Sequence, residues 1–382
     1  MALSFRSHWP VMLAALAVLS VVGLTLRPYG GNPSAFFHLD QPVYDEHPTP
    51  AGFVVLGVPA YDGAHYYQVA RNIPALFDVS QWDWLKSLVT DSYSYQRFTL
   101  PLLAFVVSFG QDAALPWAFL LINILSLIGA SYLIFRHTRQ PLYAVAIALS
   151  PAAMVGLHFS LAEPLTLFLL TAFLVRYTTR GRIDWLSVVL LCLAAWAREV
   201  NLLFLALLFV YSLGRRRWQD SAFVLIPLTA FLVLQGWIYA IFGNYPFLMS
   251  ADKRTFPFEA MIQLVTGGYG YNQFTATSIP LALLFVLPAL AWTVLKIVKG
   301  NWSFLAIGTL AFLGLMTTMP QYIWGSITSI GRVITPVYPL AILLAANHET
   351  LFSKYLGYVI LVIGIGAGLT LALITHPFTL SA

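Results

Sequence analysis

The sequence predicts an all-α polytopic membrane protein with about eleven transmembrane helices and a long non-cytoplasmic first loop carrying juxtamembrane helices. Three observations carry that prediction. The 382 residues are 59% hydrophobic and only 9% charged, whereas a soluble domain carries about 25% charged residues. Mean hydropathy is +0.78. Apolar runs near the roughly 20 residues needed to cross a bilayer recur along most of the chain. No repeat, low-complexity tract or linker divides it, so 1–382 reads as a single integral membrane domain. The single cysteine, Cys192, sits in an apolar run and excludes a disulfide framework or a thiolate metal cluster.

In chain order, spans are expected at 10–26, 113–135, 141–158, 161–175, 183–197, 200–214, 219–242, 274–295, 302–318, 331–346 and 355–376. The first run follows Arg6 and His8 like a signal peptide, but no small-residue cleavage site precedes Arg27-Pro28, so it reads as an uncleaved helix. With the N-terminus in the cytoplasm, the inner side receives Arg6, Arg136, Arg139, Arg176, Arg180, Arg182, Arg215, Arg216, Arg217, Lys296, Lys299 and Lys354. Only Asp184, Asp220 and Glu349 join them among the acids, which gives +9 inside and −4 outside. That split is what the positive-inside rule requires, and it places the C-terminus outside.

Two outer loops are long, about 27–112 and about 243–273. Long loops with their own polar chemistry are more often functional than connective. The working face is therefore expected to be periplasmic, or lumenal in a eukaryote. Inside the first loop, 64–77 and 81–90 read as helices lying on the membrane surface, where tryptophan and tyrosine settle. Tyr66, Val69, Ala70 and Ile73 share one side of the first; Trp82, Trp84, Leu85 and Leu88 mark the second.

Ionisable groups near spans are costly and point to function. Five stand at outer helix ends: Asp62, Glu163, Arg198, Glu199 and Arg332. Asp62, in an Asp-Gly pair before the juxtamembrane helix, suits a helix cap and a catalytic base equally well. Glu163, followed by Pro164, suits a first-turn acid favoured by the helix dipole. Arg198-Glu199 suits a local ion pair or a binding site. Arg332, at an expected helix start, suits a phosphate, because both the helix N-terminus and a guanidinium attract anions. His65, His137, His158, His348 and His376 show no metal-ligand spacing, and neither HExxH nor a Walker A motif occurs. Gly267-Gly268-Tyr269-Gly270-Tyr271 reads as a flexible outer loop able to order over substrate.

The stretch Tyr61-Asp62-Gly63-Ala64-His65-Tyr66-Tyr67-Gln68-Val69-Ala70 resembles the aromatic-Asp-Gly/Ala motif of PIG-V-like mannosyltransferases and of bacterial relatives in the GT-C superfamily of integral membrane glycosyltransferases. Phe159 to Pro164 is similar to their aromatic-Ser-x-x-Glu helix start, Ala195 to Asn201 to their small-x-x-Arg-polar segment, and Gly331 to Pro339 to their late Arg-x-x-x-Pro-x-aromatic-Pro element. The motifs span about 35 residues. The chain departs from them in carrying Tyr61 where Trp is usual and in lacking an acidic pair at Asp62, although Asp45-Glu46 lies upstream.

The resemblance implies a transferase that moves a monosaccharide from a polyprenyl-phosphate carrier to a lipid or glycan acceptor on the non-cytoplasmic face of a bacterial plasma membrane. Asp62 would be the general base. Arg332 and Arg198 would hold the phosphate, and Glu163, Glu199, His65 and Tyr66 would complete the substrate-binding set. With one strong carboxylate candidate, inversion at the anomeric carbon is expected. No cofactor is demanded, and a divalent metal is left open. The bilayer is a partner and nucleic acid is not. A secondary transporter or flippase, or a non-catalytic subunit of a glycosylation complex, is the competing reading.

Overall fold

Helices occupy each of the eleven expected positions in the computed structural model, which describes residues 8–40, 49–56, 61–88, 92–249, 256–266, 278–348 and 350–374. Six are long and apolar enough to cross a membrane: Trp9–Tyr29, Asp112–Thr138, Pro141–His158, Trp218–Phe242, Ser278–Val298 and Leu351–Leu373. Among the described residues, the pair Ile327–Val333 and Val337–Ala346, bent by 62°, is either a seventh, broken span or a re-entrant loop. The others fall short for physical reasons. Trp185–Ala197, Asn201–Gly214 and Phe304–Thr317 are 13 or 14 residues long, about 20 Å at 1.5 Å per residue. Glu163–Arg180 is long enough but carries Glu163, Arg176 and Arg180.

The interior belongs to the less apolar helices. Every residue of Pro151–His158 is buried, and Glu163–Arg180 packs against it and against Leu115–Thr138, Trp185–Ala197 and Val337–Ala346. Trp9–Leu26 instead exposes Trp9, Leu13, Leu16, Leu19 and Leu24. Lipid tails are as apolar as leucine, so close backbone approach has to hold membrane helices together. Leu351–Ile374 provides it: a Cβ on Gly364 would lie 1.6 Å from the Leu149 carbonyl oxygen. Leu149 ends helix Pro141–Ala148, and Ser150 caps the next helix by accepting from the Ala153 N–H at 3.4 Å. The interruption between the two half-helices is therefore the surface against which Gly364 fits.

The first outer loop is more structured than expected. A 3₁₀ turn at Pro33–Phe37 leads to a two-residue parallel ladder, Leu39–Asp40 with Val55–Leu56. The expected surface helix 64–77 is two helices, Asp62–Arg71 and Ile73–Leu76, divided just before Pro74, which has no N–H to donate. Its apolar side does not lie on lipid: Tyr66, Val69, Ala70 and Ile73 are buried in protein. In the second helix, Trp82–Leu88, Leu85 is buried and Trp84 is exposed. Thr99–Val107 is a further apolar helix, which packs against Leu115–Thr138 and Asp62–Arg71. Asp45, Glu46 and the 267–271 glycine-aromatic stretch lie outside the described residues.

Candidate active site

Five segments converge at one end of the bundle, each bringing charge because a helix starts or stops there. Asp62 is the first residue of Asp62–Arg71, and Glu163 the first of Glu163–Arg180. Arg198 and Glu199 form the turn between Trp185–Ala197 and Asn201–Gly214. Arg332 lies in the last turn of Ile327–Val333. The 3₁₀ turn Ser92–Gln96 delivers Arg97. Gly63 lets the Asp62 helix seat closely: a Cβ there would sit 2.1 Å from the Phe159 carbonyl oxygen.

The side chains join in one ionic chain. Arg97 donates to Glu199 through Nε, at 2.9 Å from Oε2, and through Nη2, at 2.7 Å from Oε1. Its Nη1 donates to Asp62 Oδ2 at 2.9 Å and to the Tyr66 hydroxyl at 2.9 Å. Arg332 Nη2 donates to the same Asp62 Oδ2 at 2.6 Å, its Nε to Glu163 Oε1 at 2.6 Å and its Nη1 to the Tyr61 hydroxyl at 2.8 Å. Arg198 Nη1 also pairs with Glu163 Oε1. Read in order, the chain is Glu199, Arg97, Asp62, Arg332, Glu163, Arg198, with three carboxylates against three guanidiniums. Glu163 is fully buried and Arg198 nearly so, and such charges persist only when paired.

Asp62 differs from the other two acids. Its side chain is 35% exposed, against 14% for Glu199 and 0% for Glu163. Both guanidiniums bond its Oδ2, and among the described residues none bonds Oδ1. Burial pushes its carboxyl up, but Arg332 and Arg97 overcome that and hold it well below the usual carboxylate range. Glu199 follows the same pattern, with Arg97 outweighing burial. Burial pushes the Tyr66 phenol up to about 12, so it stays protonated.

Several expectations change. Asp62 does not cap its helix: Tyr61 is the N-cap residue, with no side-chain bond. Nor does the Asp-Gly pair form a turn; it opens the helix, and the close approach that Gly63 allows is by protein backbone. Arg332 stands at a helix C-terminus, so a helix N-terminus does not draw anions to it. Arg198 and Glu199 are not partners of each other. His65 is exposed and outside the ionic chain, on the same helix as Asp62. Tyr66 is buried against Arg97. Among the described residues, no group of three or more His, Cys, Asp or Glu side chains is placed to hold a metal ion.

Arg97, Tyr93 and Tyr61 are members that the sequence reading missed as site residues. Tyr93 donates to Glu199 Oε1 at 2.7 Å and stacks under the Arg97 guanidinium, 4.6 Å from ring centroid to cation. The available signal was Arg97 standing just before the apolar Thr99–Val107 run. The opposite end of Glu163–Arg180, about 27 Å away at 1.5 Å per residue, carries a separate cluster. There Arg176 and Arg180 pair with Asp184.

No family model matches the chain, and no curated protein sequence matches it. Among solved structures it is similar to the crystal structure of ArnT from Cupriavidus metallidurans in the apo state, with 14% identity and a TM-score of 0.49. The alignment covers 98% of this chain and 78% of that one. At that similarity, the likeness says nothing of this chain's chemistry.

Proposed function

We propose that this integral membrane protein is a glycosyltransferase that moves a monosaccharide from a polyprenyl-phosphate carrier to a lipid or glycan acceptor. Asp62 is the general base, and the site faces away from the cytoplasm. One observation carries the reading: a carboxylate with one open oxygen stands beside a guanidinium that has unused N–H groups. A sugar hydroxyl is a poor nucleophile, and a carboxylate within reach takes its proton as the new bond forms. The hydroxyl oxygen attacks the anomeric carbon while its proton passes to Asp62 Oδ1. The bond from that carbon to the phosphate oxygen breaks, and the electron pair leaves with the lipid phosphate. Arg332, with Arg198 behind it, stabilises the charge that develops there. Direct attack inverts the anomeric centre. Glu163 and Glu199 hold the guanidiniums, the buried Tyr66 hydroxyl supports Arg97, and the exposed His65 on the Asp62 helix is the further substrate-binding candidate.

The resemblance of the Tyr61–Ala70 stretch to PIG-V-like proteins makes polyprenyl-phosphate mannose the first donor to try. Purified full-length protein, reconstituted with such donors, is expected to transfer or hydrolyse sugar in a donor-dependent way. No consumption of any polyprenyl-phosphate sugar contradicts the proposal. A secondary transporter is the second reading, favoured by the two interrupted helices at Leu149–Ser150 and Ile334–Pro336, since broken spans commonly line transport sites. Substrate accumulation in proteoliposomes without any change of covalent structure would favour it.

A further inference from the structure

The two arginines on Asp62 are not equivalent. A guanidinium has five N–H donors, and Arg97 uses all five. Nε and one Nη2 hydrogen bind Glu199, the other Nη2 hydrogen binds the Tyr93 hydroxyl, and the Nη1 pair binds Asp62 and Tyr66. Its side chain is 5% exposed, with one face on the Tyr93 ring. Arg332 uses three, one each to Glu163, Tyr61 and Asp62. Two of its N–H groups make no bond among the described residues. Withdrawing Arg97 from this site gives up five bonds and leaves Glu199 with only the Tyr93 hydroxyl as a donor among the described residues. Arg332 can turn its terminal nitrogens toward a phosphate while Nε keeps Glu163.

We infer that Arg97 is a positioning residue for the transfer reaction: it fixes Asp62 through Oδ2 to the Glu199–Tyr66–Tyr93 cradle and so aims Oδ1 at the acceptor hydroxyl, while Arg332 is the guanidinium that exchanges carboxylate for donor phosphate. The inference rests on the transferase reading and adds a division of labour to it. Two consequences follow from the geometry. A donor phosphate that draws Arg332 away leaves Asp62 with one cation instead of two, so its proton affinity rises when substrate is present. The carboxylate nevertheless stays in place, because Arg97 cannot follow. The base is thus held weak in the empty site and strengthened by the donor, without a change in the fold.

The test compares Arg97 and Arg332 variants of the full-length protein. Arg97→Lys keeps the charge but cannot make five bonds or fit the fork. It is expected to lower kcat by about 10–100-fold, the scale of an ångström-level misplacement, with binding of polyprenyl phosphate changed less than about threefold. Arg332→Lys should instead weaken that binding by about tenfold or more. In Arg97→Ala, added guanidinium ion should restore part of kcat, which a merely structural role does not predict. Equal loss of polyprenyl-phosphate binding in both lysine variants overturns the division of labour. So does wild-type kcat in Arg97→Lys.

A second measurement keeps this separate from the function itself. Carbodiimide labelling of Asp62 against pH needs no turnover. Its midpoint should move up in Arg97→Gln, because one of the two cations is gone. An unmoved midpoint overturns the role of Arg97 even if the wild type transfers sugar. A moved midpoint with no transfer by the wild type overturns the transferase reading instead.

Discussion

Glu163 has no access to solvent, and Arg198 and Arg332 meet at its Oε1. A buried ion pair is weak as a source of stability, yet removing one member typically costs about 3–5 kcal/mol because the other charge is left alone. Glu163→Gln should therefore unfold about that much more easily in detergent, and Glu163→Gln with Arg198→Met should recover most of the loss. A single variant as stable as wild type would show that the ionic chain is not held together there. Asp62 and Glu199 add a pH signature. Both have folded values below the unfolded value of about 4, so their contribution is complete above that pH and is lost as pH falls through the folded values. Thermal stability should be flat from neutral pH to about 4 and decline below it; in Arg97→Gln the decline should be smaller, because the folded values rise toward the unfolded one. Asp62, Glu163, Arg198, Glu199 and Arg332 were legible because charge is conspicuous in an apolar chain. Arg97 was not, since it lies among the charges of a long loop and only its contacts separate it from them.

At the scale of elements, two glycines fix how the parts meet. Gly63 seats the Asp62 helix against the Phe159 carbonyl, so Gly63→Ala pushes that helix outward and Asp62 with it. A misplacement of that order is expected to cost about 10² in transfer rate, measured beside wild type under donor saturation. Gly364→Ala meets the Leu149 carbonyl instead and should destabilise the fold. Gly366→Ala meets nothing within 4 Å and should not. Equal stability for both variants would remove close approach as the reason for Gly364. The helix positions were readable from hydropathy, because each apolar run ends at charges or prolines. The interruption at Leu149–Ser150 had a signal in Ser150-Pro151, the cap and first residue of the second half-helix, but its fit against Gly364 is visible only in the packing. Thr99–Val107 was missed because nine residues are too short to register as a span.

For the whole molecule, the charge split and the position of the ionic chain point the same way. The three carboxylates sit at the Glu163 end of the bundle, and the basic turns around Arg180 and Arg217 sit at the other. A membrane orientation follows that can be checked in intact cells. Cysteines placed at the exposed Ser87 and Thr179, in a Cys192→Ala background, should behave oppositely toward an impermeant reagent. Position 87 should label and position 179 should not; the reverse result would put the site in the cytoplasm. The central claim is that Asp62 takes the acceptor's proton, and sugar transfer by reconstituted Asp62→Asn tests it most directly. Asparagine keeps the shape and an oxygen for the guanidiniums but accepts no proton at neutral pH. Loss of a general base costs about 10²–10⁴ in rate, so Asp62→Asn should bind polyprenyl phosphate as wild type does and transfer almost no sugar, while Asp45→Asn and Glu46→Gln stay active. Near-normal turnover in Asp62→Asn, with activity abolished by a change at Asp45 or Glu46, would contradict the account.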